Sequence, residues 1–354
     1  MNASEALVRV PKADLHVHQE ATRYLDLVLA EREGREPYDW AAWRRELAAT
    51  VPPGKERLQR IGSMQPVPLD HDADEELFVA RFAALMRDHA AAGARYVEVR
   101  CGGEVVTRDG FMDLFRRAEA QVRADHPLLH AEALAIVIQA GQDPERADAF
   151  AEGCVRAAGE GLAGVDFLYA PYDTEADWAP MYRLAQRFAD AGLGITAHAG
   201  ELSTANIAAA ARMPGLTRIG HGVHAAADPE LLRLLVDRGV TLECALTCND
   251  FFGVLPELDE HPLLRLVEAG VAVTLATDNP VQLGTTIERE YAFAAALGMS
   301  ASQLTGFTRD AIRAAFTSPE RKAAILAGID RGEDQARLDD HQVDIAAEAN
   351  PSFS

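Results

Sequence analysis

Several things are scarce in this sequence, and each scarcity excludes a class of protein. Cysteine appears four times in 354 residues, at Cys101, Cys154, Cys244 and Cys248. The four are scattered, and Cys244 and Cys248 lack the C-x-x-C spacing of a zinc ribbon, so buried free thiols in a reducing cytoplasm are expected. Basic charge is short: 34 Lys and Arg stand against 55 Asp and Glu, a net charge of −21 and a pI near 4.9. Nucleic-acid binding by phosphate neutralisation is thereby excluded. No apolar run approaches the ~20 residues of a membrane span. The opening residues Met1 to Glu5 carry no basic or apolar region of the kind a signal peptide needs. No G-x-G-x-x-G loop follows an early strand, which argues against an open, doubly wound sheet holding a dinucleotide. No internal repeat and no second-domain boundary is visible.

What is present is alternation. A hydrophobic content of 48% is ample for a large core. Eight short strand-like runs are read at Ala13–His18, Tyr96–Cys101, Ala131–Gln139, Val165–Ala170, Gly194–Ala199, Arg218–Gly222, Val240–Thr247 and Val271–Asp278. Helical periodicity separates them, as in Glu75 to Ala92 and Asp177 to Ala191. Eight β/α units predict a parallel (β/α)8 barrel, a fold of ~250 residues before insertions. The whole chain, 1–354, then reads as one domain. The long segment 19–95 leaves the C-terminal end of the first strand, where such barrels place their sites, and reads as an inserted lid. Two helical stretches are expected from about Gly284 to Gly328, and the charged tail from Arg331 as loosely ordered.

Four strand ends carry chemistry. The first gives His16-Val17-His18; residues i and i+2 of a strand face one side, ~6.6 Å apart, which suits two ligands on one ion. The fifth gives His198 and, three residues on, Glu201. The sixth gives His221 between Gly220 and Gly222, and the eighth gives Asp278-Asn279-Pro280. One such histidine is more often a structural residue than a ligand, but four strand ends converging on one barrel mouth are hard to assign to chance. His16, His18, His198 and Asp278 offer three nitrogens and one carboxylate, a set that suits zinc or another divalent ion with room for a water. Zinc lowers the pKa of such a water from 15.7 to about 7.

Pro11 to His18, His198-Ala199-Gly200-Glu201, Arg218-Ile219-Gly220-His221-Gly222, and Thr277-Asp278 followed by Pro280 together resemble the adenosine deaminase family of the amidohydrolase superfamily. The likeness runs from about residue 11 to 328 and includes Gly284-Thr285-Thr286. It implies one zinc ion per chain on His16, His18, His198 and Asp278, with Asp278 also catalytic. It implies that Glu201 protonates a ring nitrogen and that His221 orients the attacking hydroxide and stabilises charge. The implied reaction is hydrolytic release of ammonia from an aminopurine or related heterocycle, a place in purine metabolism. The partner is then a small molecule; the number of subunits is left open.

The departures from that family lie around the substrate. The H-x-H pair is followed by Gln19-Glu20-Ala21-Thr22, without the family's glycine. The fourth strand ends in Leu168-Tyr169-Ala170 where a small residue is usual, and the second aspartate is Asn279. The seventh strand also ends unusually, in Leu246-Thr247-Cys248-Asn249. Glu20, Tyr169 and Asn279 are therefore the candidate substrate-binding residues. An ordinary adenosine or adenine deaminase remains open beside an altered substrate such as free adenine or a modified adenine nucleoside. Two further readings are an amide-cleaving relative, which Glu201 argues against, and a non-catalytic one, which the complete ligand set argues against.

Overall fold

The computed structural model describes residues 10–19, 23–63, 74–138, 144–168, 174, 176–253 and 261–331. Eight strands lie side by side in chain order, every neighbouring pair parallel: β1 (Lys12–His18), β2 (Ala94–Cys101), β3 (His130–Ile138), β4 (Gly164–Leu168), β5 (Gly194–Ala199), β6 (Leu216–His221), β7 (Thr241–Cys244) and β8 (Ala272–Leu275). The seam closes just past the end of β8. Val17 bridges Asp278, the Asp278 N–H donates to the His16 carbonyl at 2.8 Å, and the His18 N–H donates to the Asp278 carbonyl at 2.8 Å. The predicted (β/α)8 barrel is thus observed, closed by a residue of the site itself.

Helices cover the outside because their apolar stripes have nowhere else to go. In Glu75–Ala91 the Asp74 carboxylate caps the first turn, accepting from the Glu76 and Leu77 amides at 3.0 Å. Leu77, Phe78, Phe82, Leu85 and Met86 are then buried, and Phe82 and Met86 join Val97 and Val99 of β2 in the main core.

Among its described residues, segment 19–95 contributes four helices, Arg23–Glu33, Trp40–Thr50, Lys55–Ser63 and Glu75–Ala91. The middle two grip the chain beyond β7 and β8. Arg57 donates to the Phe251 carbonyl at 2.7 Å, and Arg44 to the Gln282 carbonyl at 2.7 Å. Trp40, Trp43, Leu47 and Val51 pack with Phe251 and Val281. No helix among the described residues is long and apolar enough to cross a membrane.

Three sequence expectations need correction. The seventh strand stops at Cys244, not Thr247, and Leu246–Phe251 is a short helix; a brief apolar run fits either conformation. The eighth stops at Leu275, three residues before Asp278. After Pro280–Leu283, three longer helices follow rather than two: Ile287–Ala296, Ala301–Ala314 and Pro319–Arg331. Ser300 and Gln303 form a reciprocal capping box that starts the second, and Pro319 opens the third. The ends expected for the third and fourth strands, at Gln139 and Ala170, fall outside the described residues, as does the tail from 332 onward.

Candidate active site

Strand β1 does not run straight into the site. Asp14 pairs with Val97 and Val17 with Val99, so Leu15 and His16 together oppose one residue of β2. This bulge turns His16 inward while Asp14 stays outward, where its carboxylate accepts from the His16 amide at 2.9 Å. Asp14 also meets His89 Nε2 at 3.1 Å and accepts from the Thr277 hydroxyl at 2.6 Å, tying β1 to the end of β8. Arg100 donates to the Leu15 carbonyl that the bulge frees.

Three imidazoles then converge. His16 Nε2 lies 3.1 Å from His18 Nε2, which lies 3.3 Å from His198 Nε2. Asp278 Oδ1 is 3.2 Å from His18 Nε2 and 3.7 Å from His16 Nε2. The other ring nitrogen of His16 faces Glu243 at 3.1 Å, and that of His198 faces Asp166 at 3.1 Å. Carboxylates on the far nitrogens fix the tautomers so that bare Nε2 atoms point at one another, the state a divalent cation requires. Burial, with Arg100 and the other histidines, holds His16 well below the usual imidazole range, so it is neutral. Three imidazole nitrogens and one carboxylate around a common point fit zinc.

Beneath them lies a buried charged layer. Arg100 donates to Asp166 at 2.5 Å and also to Glu243. Arg218 donates to Glu98 at 2.5 Å, sits 2.8 Å from Glu243, and stacks 3.5 Å over the Phe316 ring. All five charged groups are buried. Two guanidiniums stand against three carboxylates below the trio, and burial raises one of these, Glu243, above the usual carboxylate range. Burial works against Asp166, yet His198 and Arg100 hold its carboxyl well below the usual range.

Glu201 and His221 stand to one side. His221 Nε2 is 3.8 Å from a Glu201 oxygen, and both residues are buried. Burial, reinforced by the charge of Asp278, pushes Glu201 up to about 8, so its carboxyl holds a proton near neutrality. Burial and the neighbouring His198 keep His221 neutral. His221 and Asp278 both take left-handed backbone conformations, φ 65° and 59°. No other described non-glycine residue does, and strain of this kind gathers at working sites. The flanking glycines follow from crowding. A Cβ on Gly220 would lie 2.8 Å from the His16 ring, and one on Gly222 2.5 Å from Leu242.

The structure therefore brings His16, His18, His198, Glu201, His221 and Asp278 to one place. Asn279 is beside them, with its amide nitrogen donating to Asp278 Oδ1 at 2.7 Å. Glu20 and Tyr169 lie outside the described residues. Sequence reasoning missed Arg100, Asp166 and Glu243, although charged residues inside otherwise apolar strands were a usable signal, since buried charge demands a partner. It also missed Cys248, whose sulfur is 3.9 Å from Glu201 and which hydrogen-bonds Asp278.

The family model described as adenosine deaminase matches residues 71–332. An adenine deaminase of Mesorhizobium japonicum is 31% identical over 332 residues, 89% of this chain and 97% of that protein. One from Rhizobium leguminosarum bv. trifolii is 44% identical over 154 residues, 43% of this chain and 47% of its own length. Against it and other relatives of similar identity, the chain spans about half their length. A solved adenine deaminase from Arthrobacter aurescens shares the fold, with a TM-score of 0.72 at 24% identity over 91% of this chain and 98% of that one. With the family model covering most of the chain and one relative matched almost end to end, the chain belongs to the adenosine deaminase family.

Proposed function

We propose that this protein is a metal-dependent hydrolytic deaminase of an aminopurine, with free adenine as its substrate. The observation that carries the reading is Glu201, a buried carboxyl that keeps its proton near neutral pH beside a three-histidine, one-aspartate cluster. His16, His18, His198 and Asp278 would hold a zinc ion, which when bound would supply Lewis-acid activation of water there. Glu201 gives its proton to the ring nitrogen next to the amino-bearing carbon, which breaks the conjugation and makes that carbon electrophilic. Neutral His221 orients the attacking water and takes up positive character as the addition proceeds. The amino group leaves as ammonia and a carbonyl remains.

Adenine is preferred for two reasons. The relative matched across nearly its whole length is named an adenine deaminase, and Asn279, which stands where the family has a second aspartate, lies against the Asp278 carboxylate. Asn279 spends one N–H on Asp278 and keeps a second N–H and a carbonyl for the ring. Four buried free thiols and the acidic surface fit a cytoplasmic enzyme. An ammonia-release screen over adenine, adenosine, N6-substituted adenines, aminopterins and aminopyrimidines tests the reading. Adenine is expected to turn over best and adenosine poorly. Adenosine turned over at ~10⁶–10⁸ M⁻¹s⁻¹, the upper range for enzymes, would refute the substrate.

A further inference from the structure

Cys248 belongs to none of the roles assigned above, yet it stands inside the site. The helix Leu246–Phe251 turns inward at Ala245 and brings the Cys248 sulfur to 3.9 Å from Glu201 Oε1. His221 approaches the other Glu201 oxygen at 3.8 Å. One ligand atom from each of Glu201, His221 and Cys248 can be chosen so that all three lie within 4.8 Å of one another, and all three residues are buried. His221 faces Glu201 through Nε2, while its Nδ1 is buried and has no hydrogen-bond partner among the described residues.

We propose that Glu201, His221 and Cys248 form a second, thiol-bearing site for a soft divalent cation, distinct from the His16, His18, His198 and Asp278 cluster, and that filling it inhibits the enzyme. Thiolate, imidazole and carboxylate form a donor set for zinc and, better still, for the larger and softer cadmium. The contacts of 3.8 and 3.9 Å exceed by about half an ångström the spacing of ligands around tetrahedral zinc, given bonds of ~2.0–2.3 Å. Binding displaces two protons to solvent, the Cys248 thiol proton and the one Glu201 holds near neutrality, and no electrons are transferred. The ion would also occupy the two groups proposed to protonate the ring and orient water. The binding claim stands on the cluster alone; the inhibition rests on the proposed roles of Glu201 and His221.

The test starts from full-length protein carrying one equivalent of zinc and adds cadmium. A second ion should bind, with a thiolate-to-cadmium charge-transfer band in the ultraviolet. Ammonia release should fall in proportion and recover with a chelator. In Cys248→Ser the band should vanish, and inhibition, scaled to that variant's own uninhibited rate, should need at least tenfold more cadmium. Cadmium NMR of the unsubstituted protein provides the same reading should the variant fail to fold: a resonance with sulfur, nitrogen and oxygen ligands upholds the site. Absence of a second ion, a band that survives Cys248→Ser, or a resonance without sulfur overturns it. A bound second ion that leaves turnover unchanged upholds the site and overturns the roles given to Glu201 and His221.

Discussion

At the scale of single residues, the site depends on which atom each polar group faces. Asn279 is the clearest case. Its amide donates to the Asp278 oxygen nearest the histidines, at 2.7 Å. An aspartate there would set carboxylate against carboxylate in a buried place, and one of them would have to take up a proton. Asn279→Asp should therefore lower kcat/KM for the true substrate by on the order of 1–3 kcal/mol, with a measurable loss of bound metal. Unchanged kinetics and metal content would show that the amide positions nothing. The convergence of the proposed ligands was legible in the sequence because H-x-H and the other motifs sit at or near strand ends, where period and direction are fixed by the backbone. The Asn279 contact was not legible, because the left-handed turn at Asp278 sets where the next side chain points. Cys248 was hidden for a related reason: a seventh strand extended to Thr247 would not have delivered it to Glu201.

At the scale of elements, β1 and the chain beyond β8 are held together by the atoms that aim the proposed ligands. The bulge at Leu15 and His16, the Asp14 contacts and the Asp278 backbone bridge form one joint. Arg100 spans its inner side, reaching the Leu15 carbonyl and the carboxylates behind His16 and His198. Arg100→Met removes a fully buried partner from Asp166 and Glu243. The cost in stability should be about 3–5 kcal/mol, and metal affinity should fall about 10–100-fold as the histidines lose their orientation. Chemical denaturation and metal-chelator competition would measure the two separately. If affinity is intact in a destabilised variant, Arg100 serves the fold alone. Strand order and helix positions were legible from periodicity, whereas the bulge was not, since it is a register slip between two strands and leaves no mark in either one alone.

At the scale of the whole molecule, the inserted helices and the barrel are joined by His89, which carries a pH dependence. Burial works against charge on its ring, but the hydrogen bond and charge of Asp14, with the Leu85 carbonyl at 2.9 Å on Nδ1, raise it above its ordinary value. A raised histidine contributes stability that is complete below its unfolded pKa of ~6.5 and is lost as pH rises through the folded value. The stability gap between the protein and His89→Gln should thus be widest in mild acid and narrow toward alkaline pH. A gap that does not move with pH would exclude the ion pair. The barrel was legible as a whole from eight β/α units, and segment 19–95 stood out by its length between the first two strands. Its grip on the chain beyond β7 and β8, through Arg44, Arg57 and two tryptophans, lay in long-range contacts that periodicity does not encode.

The central claim is that Glu201 is the proton donor and not a ligand of the primary ion. Glu201→Gln, assayed for metal content, thermal stability and ammonia release on one preparation, tests it most directly. The metal and the folded state should be retained, while kcat falls about 10²–10⁴-fold, the usual contribution of general-acid catalysis. In the unsubstituted protein, kcat/KM should decline as pH rises past about 8, where Glu201 gives up its proton, and the variant should lack that limb. A Glu201→Gln protein that keeps its metal and still turns over within a few-fold of the parent would contradict the account.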